Sequence, residues 1–368
     1  MFKNLRLTFL VAALAVFCAV SGTHGADIPT VKVGYIFTTH HTPLIVAAQK
    51  GEAFKGMGVY LKPVVEKEKY ELVSAGKPIA VIQLIVAKSG SEAVALFARN
   101  QLDLGMASIA AIMSGIDSKI PMKIVGPLQT EGMGLVVPKD SHLRGWDSFL
   151  AYLKNTKKPV KIGYHSPTSA PRIVLEGALK QAGIKVTEDS NDQSAQALLV
   201  DLKETTNMVP ALTSKQVDAI VGPSPFPEVA VNRGVGRVIV DLRDLPPKGY
   251  WHDFPCCVTV ASDQIIARHP EVVAKFVELI AKTNVWCNKN RLEAGTLTAQ
   301  WIGLPSETAK SSMLVYLPRF TQGWMKGADK LMTILNGMGN FKGQLKGKTI
   351  EEGKPLLFDM RFIDKVKM

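Results

Sequence analysis

Residues 31 to 46 read VKVGYIFTTHHTPLIV, and residues 160 to 174 read VKIGYHSPTSAPRIV, the same frame with one residue fewer. Both copies begin Val-Lys-(Val/Ile)-Gly-Tyr and end Pro-x-Ile-Val. The frame is apolar and the inserts are polar: Thr38, Thr39, His40, His41 and Thr42 in the first copy, His165, Ser166, Thr168 and Ser169 in the second. A β-branched run, a polar loop and then a Pro suited to a first helical turn predict strand, loop and helix N-terminus. Such a terminus presents unpaired N–H groups and the positive end of a dipole, so each loop is a receptor for an anion or polar group.

The echo continues downstream. After the first copy, VIQLIVAKSGSEAVALFARNQLDLGMAS runs through Ser89, Gly90 and Ser91 to Gln101-Leu102-Asp103 and Ser108. After the second, ALLVDLKETTNMVPALTSKQVDAIVGPS runs through Thr205, Thr206 and Asn207 to Gln216-Val217-Asp218 and Ser224. Two α/β units of one plan are expected, with a ligand beyond the carboxyl ends of their strands, where the units face each other.

Ahead of these units, Lys3 and Arg6 precede LTFLVAALAVFCAV and then the small residues of Ser21 to Ala26. A charged start, an apolar run too short to span a bilayer and a small-residue zone predict a secretory leader over residues 1–26, cut between Gly22 and Ala26. Phe17 ahead of Cys18 argues against a lipid-modified cysteine. The remaining 342 residues suffice for two domains. Lys plus Arg exceed Asp plus Glu by 44 minus 32, giving +12, and the leader takes two of these. That balance favours acidic ligands or partners, although six lysines from Lys342 to Lys367 serve equally to solvate the C-terminal end. No nucleic-acid motif or basic stretch interleaved with aromatics is present, so no nucleic-acid partner is expected.

The lobe boundaries follow from two extended stretches. Gly134 to Asp140 is expected to carry the chain into the second unit, and DFPCCVTVASDQIIARHP to bring it back. This assigns residues 27–136 plus 256–368 to a discontinuous first lobe and 137–255 to the second. Val65 to Lys77 is expected to be a solvated excursion, and Gly337 to Pro355 a loose terminal stretch.

The chain resembles the nitrate/sulfonate/taurine type of ABC-importer substrate-binding protein, related to the NMT1/THI5-like group. The resemblance rests on ARNQLDLGMAS, KIGYHSPTSAPRIVLEGALKQAGI, KQVDAIVGPSPFPEVAVNRG and VTVASDQIIARHPEVVAKFVE, and covers essentially all of the chain after the leader. It implies a type II periplasmic-binding fold, α/β, in which two lobes joined by two crossings close on a small molecule. It also implies an exported, periplasmic, monomeric receptor that serves an inner-membrane ABC permease and has no cofactor. THI5-like enzymes carry a longer cysteine-rich run than Cys256-Cys257, and no nucleophile, base and orienter can be named together, so no enzyme activity is expected.

The loops supply the expected ligand-binding set: Thr38, Thr39, His40, His41, Ser89, Ser91, Ser108, His165, Ser166, Thr168, Ser169, Thr206 and Ser224. Arg172 joins them, because a cation in a first helical turn opposes the macrodipole by ~0.3 to 1 kcal/mol, and reaching out to fork an anion would explain its place. Phe226 and Trp251 are expected as apolar walls and His252 as a donor, whereas Tyr35 and Tyr164 inside the repeated frame suit the core. The favoured ligand is a small organic anion. The alternative is a metal or metal chelate held by His40, His41, His165 and His252 with Asp253 or Glu228, although their spacing is not diagnostic. A sensory module for a membrane kinase would read the same way. Cys256 and Cys257, adjacent on a strand, are expected to face opposite sides, one in the core and the other available to pair with Cys287.

Overall fold

A computed structural model describes residues 28–312 and 314–368; the leader expected over residues 1–26 lies outside them. Its strands are β1 (Thr30–Tyr35), β2 (Val59–Val65), β3 (Lys69–Ser74), β4 (Lys77–Val86), β5 (Leu104–Ser108), β6 (Met122–Glu131), β7 (Met133–Pro138), β8 (Val160–Tyr164), β9 (Val186–Thr187), β10 (Ala197–Asp201), β11 (Ala219–Pro223), β12 (Gly236–Asp241), β13 (Pro255–Ser262) and β14 (Leu314–Tyr316). They form two sheets, β14-β6-β13-β5-β1-β4-β3-β2 and β12-β7-β11-β8-β10-β9. In the first lobe α1 (Thr42–Lys50), α2 (Gly90–Ala98) and α3 (Ile109–Asp117) follow β1, β4 and β5. In the second, α4 (Gly145–Asn155), α5 (Ala170–Gln181), α6 (Met208–Thr213) and α7 (Phe226–Asn232) alternate with strands. The remaining helices are α8 (Asp263–Arg268), α9 (Pro270–Lys289), α10 (Arg291–Ile302), α11 (Ser306–Lys310), α12 (Gln322–Gly337), α13 (Ile350–Leu357) and α14 (Arg361–Asp364).

The internal echo is a repeat of topology. β1 lies between and parallel to β4 and β5, and β8 lies between and parallel to β10 and β11. Each set is extended by an antiparallel strand from chain that has just crossed: β13 beside β5, and β7 beside β11. The Gln-x-Asp signals have one structural use. Lys32 N–H donates to the Asp103 carboxylate and Lys161 N–H to the Asp218 carboxylate, both at 2.8 Å, while each aspartate's own N–H donates to the carbonyl of the same lysine. This clamp extends the β1–β5 and β8–β11 ladders at their starts, where a backbone donor would otherwise be unpaired. Tyr35 and Tyr164 are buried, as their place in the frame suggested.

Four expectations need correction. β7 begins at Met133 and belongs wholly to the second sheet, so a division at 137 cuts through a strand; the chain leaves the first sheet at Gly132. The charged 65–77 segment is no excursion, because it supplies β3, whose Tyr70 and Leu72 are buried while alternate residues carry its charge. Residues 337–355 are ordered by short polar links. The buried Asp117 carboxylate accepts from the N–H groups of Lys342, Gly343 and Leu345 at 2.7 to 2.9 Å, and Thr349 and Glu352 form a reciprocal cap on α13. The three cysteines after the expected leader are unpaired: Cys287 is buried on α9 in a cluster with Val46 and Phe54.

Candidate functional site

The carboxyl ends of β1, β4 and β5 face those of β8, β10 and β11, and the loops that follow meet around a cavity of about 30 Å³. It is lined by Thr38, His40, His41 and Ser108 from the first lobe and by His165, Ser166, Thr168 and Ser169 from the second. Ile36, Gly90, Ala170, Pro171, Thr205, Pro223, Cys256 and Cys257 complete the wall. The lobes touch here through hydroxyls. Thr38 Oγ1 donates to the Ser224 carbonyl at 2.6 Å, Ser108 Oγ donates to the Thr168 carbonyl at 3.2 Å, and Ser91 Oγ lies 2.8 Å from Ser166 Oγ and 3.0 Å from Thr168 Oγ1.

Three polar atoms of the wall are buried without a partner: His41 Nε2, His165 Nδ1 and Ser169 Oγ. His41 Nδ1 accepts from the Ile36 N–H at 2.9 Å, so its proton sits on Nε2, which is a donor with nothing to donate to. Ser169 stands at the N-cap of α5 without capping it, which leaves its hydroxyl free. Burial holds His41 down to about 3, helped by the neighbouring His40, and burial holds His165 down to about 4. Both imidazoles are therefore neutral at pH 7. An unsatisfied buried polar group is destabilising, and three of them converge on this wall.

Part of the same wall is a sulfur-rich cluster. Cys256 Sγ is 3.3 Å and Cys257 Sγ 3.9 Å from His40 Nδ1, and the two sulfurs are 4.0 Å apart. The expectation that adjacent cysteines face apart fails because β13 bulges there. Pro255 pairs with Thr130 and Cys257 with Gln129, leaving Cys256 unpaired in the ladder and turning both side chains toward His40. His40 Nε2 donates to the Gly132 carbonyl at 2.9 Å, so Nδ1 is the bare nitrogen and accepts from Gln129 Nε2 at 2.5 Å. The Cys257 thiol, hydrogen-bonded to Cys256, pulls the Cys256 thiol down and is itself pushed up.

Other expected site residues lie elsewhere. Arg172 does not reach the cleft. Its guanidinium is buried between Glu176, at 2.8 Å, and Glu188, donates to the Pro167 carbonyl at 2.7 Å and lies over the Tyr164 ring. A carboxylate one turn along its own helix answers the dipole conflict that had suggested an outside anion. Trp251 is core, donating to the Pro246 carbonyl and packed on Phe254, and His252 is exposed. Phe226 packs on the second-lobe core, Thr206 is exposed beside its lining neighbour Thr205, Ser89 caps α2, and Thr39 reaches Ser312. Ser224 takes part through its carbonyl, while its hydroxyl donates to Glu228.

Comparisons with known proteins place this geometry. An uncharacterised protein of Methanocaldococcus jannaschii is 29% identical over 135 residues, which is 36% of this chain and 93% of that protein. Among solved structures, the zinc-bound ligand-binding component of an ABC-type import system from Staphylococcus aureus superposes with a TM-score of 0.72 at 15% identity, covering 92% of this chain and 99% of that one. The periplasmic nitrate-binding protein NrtA from Synechocystis PCC 6803 gives 0.65 at 16% identity over 92% and 86% of the two chains. The alkanesulfonate-binding protein SsuA from Xanthomonas axonopodis pv. citri, bound to MOPS, gives 0.65 at 15% over 90% and 99%. These likenesses show the periplasmic-binding fold. The profile of the NMT1-like family matches residues 24–303, and the chain, with its repeated lobes and shared cavity, belongs to the NMT1-like family.

Proposed function

We propose that the protein is an exported solute receptor that captures a small anion between its lobes and presents it to the permease of an ABC importer. The observation that carries this reading is the pair of unpartnered donors, His41 Nε2–H and Ser169 Oγ–H, in a cavity whose walls come from both lobes. The similar structures named as nitrate- and alkanesulfonate-binding proteins and as an import component support it. Among the described residues no lysine or arginine lines the cavity, so an anion would be held by neutral donors and by the N-terminal turns of α2 and α5. At roughly 10 to 15 Å³ per water, a cavity of about 30 Å³ suits a small guest. Capture needs no chemistry on the solute, only higher affinity for the closed arrangement than for the open one.

A thermal-shift screen of nitrate, carboxylates, sulfonates and heterocycles tests this. A true ligand at 100 times its dissociation constant adds ~2.7 kcal/mol to folding stability. The same ligand should lose affinity when Ser169→Ala removes a donor, by roughly tenfold for a hydrogen bond to charge of ~1.5 kcal/mol. If no compound shifts the melt, or if the Ser169→Ala variant binds as the parent does, the cavity is not the solute site.

A further inference from the structure

We propose that His40 Nδ1, Cys256 Sγ and Cys257 Sγ form a binding site for one thiophilic d10 metal ion, Zn2+ or Cu+, on the first-lobe wall of the cavity. The three atoms come from a loop and a bulged strand that lie far apart in the chain, and all three residues are buried, with His40 1%, Cys256 2% and Cys257 6% exposed. A tetrahedral zinc ion with Zn–S of about 2.3 Å and Zn–N of about 2.0 Å places its sulfurs about 3.8 Å apart and each sulfur about 3.5 Å from the nitrogen. The separations here are 4.0 Å between sulfurs and 3.3 and 3.9 Å from sulfur to nitrogen. The ligand atoms thus already stand within a few tenths of an ångström of coordination distances.

The imidazole is oriented for the task by an independent contact. A ligating histidine donates its other N–H to a carbonyl or carboxylate, and His40 Nε2 donates to Gly132 O at 2.9 Å, which leaves the lone pair on Nδ1 directed at the sulfurs. That lone pair now accepts from the Gln129 amide, which an incoming ion would displace. Two thiolates with one imidazole favour zinc or copper(I) over calcium, magnesium or manganese. With Zn2+ the fourth position is left to the cavity, where His165 Nδ1 has no partner. Binding is an exchange: two thiol protons leave for solvent as two metal–sulfur bonds form, and no electron moves. The inference draws on the receptor reading only for access, since the lobes must part to admit an ion.

The test uses reduced, chelator-stripped full chain after the leader, titrated with Zn2+ and, anaerobically, with Cu+ held by a competing chelator. One ion per chain is expected, with release of up to two protons per Zn2+, and Co2+ substituted into the site should show sulfur-to-cobalt charge-transfer absorption. Cys256→Ser and Cys257→Ser should each weaken binding at least ~100-fold, more than the roughly 10- to 100-fold that loss of an outer partner brings. Cys287→Ser, in a separate core cluster, should leave binding unchanged and serves as the thiol control. Parent protein that binds neither ion at one equivalent, a cobalt spectrum without thiolate bands, or full binding by both serine variants overturns the inference. The cobalt spectrum is read on the parent, so it decides even if a variant folds poorly. Anion binding by metal-free parent protein would keep the receptor reading intact whatever the metal result.

Discussion

Arg172 shows how a single side chain can mislead when charge is read without its neighbours. It sits in the first turn of α5, where a cation is out of place, yet Glu176 and Glu188 hold it and Lys180 shares Glu176 at 2.8 Å. Arg172→Ala should therefore destabilise the fold by about 3 kcal/mol, the low end for breaking a buried pair because Glu176 keeps Lys180, while leaving solute affinity unchanged. Urea unfolding and ligand titration on the same sample separate the two effects, and a loss of affinity without a loss of stability would return Arg172 to the site. His165 carries a different signature. Burial lowers its pKa from 6.5 to about 4, so between those values the unfolded chain binds a proton that the folded chain does not. The stability this neutral imidazole contributes is complete above pH 6.5 and is lost as pH falls through the window, by about 2 kcal/mol between pH 6.5 and 5. His165→Asn should lack that part of the slope, and parallel pH–stability curves for parent and variant would refute the assignment.

Among the elements, the repeated strand-loop-helix units were legible because their apolar frame, Pro at the helix start and Gln-x-Asp signals are short patterns that recur in the same order in both units. The bulge in β13 was not legible. Alternation along a strand predicts opposite faces for Cys256 and Cys257, and only the pairing with Gln129 and Thr130, more than a hundred residues away, shows where alternation breaks. For the same reason the wall loops at Thr38 to His41 and His165 to Ser169 could be named from sequence, whereas the partnership of His40 with the two cysteines could not. The C-terminal stretch was misread from its Gly and Lys content. Its order comes from Asp117, at the end of α3, which gathers three N–H groups from residues 342–345. Asp117→Ala should remove at least about 3 kcal/mol, given ~1.5 to 3 kcal/mol for a hydrogen bond to a charged group, and should expose the segment around Lys342 and Lys346 to trypsin. Unchanged cleavage and an unchanged urea midpoint would show that packing of Phe341 and Leu345 suffices without the carboxylate.

At the scale of the whole molecule, the two sheets are joined by crossings at Gly132 and before Pro255, and the lobes by helix contacts outside the cavity wall. α12 packs on α5 of the second lobe, where Ile334 meets Gly177, and Asn232 donates to Thr308 on α11. Residues beyond 303, past the span matched by the family profile, thus link the two lobes in addition to the serine and threonine contacts at the cavity. Gly132 is the narrow point of this arrangement: its φ is +69°, and an added Cβ would lie 2.1 Å from Leu314 and 3.2 Å from His40 Nε2. His40 grips the carbonyl of this same residue through one ring nitrogen and faces the sulfurs through the other. One imidazole therefore ties the Gly132 carbonyl, where the chain crosses between the sheets, to the sulfur cluster. Under the proposed metal and receptor readings, an ion on Nδ1 would change how strongly Nε2–H holds that carbonyl, and any coupling to closure would be reciprocal: the factor by which the ion favoured closure would be the factor by which closure tightened the ion.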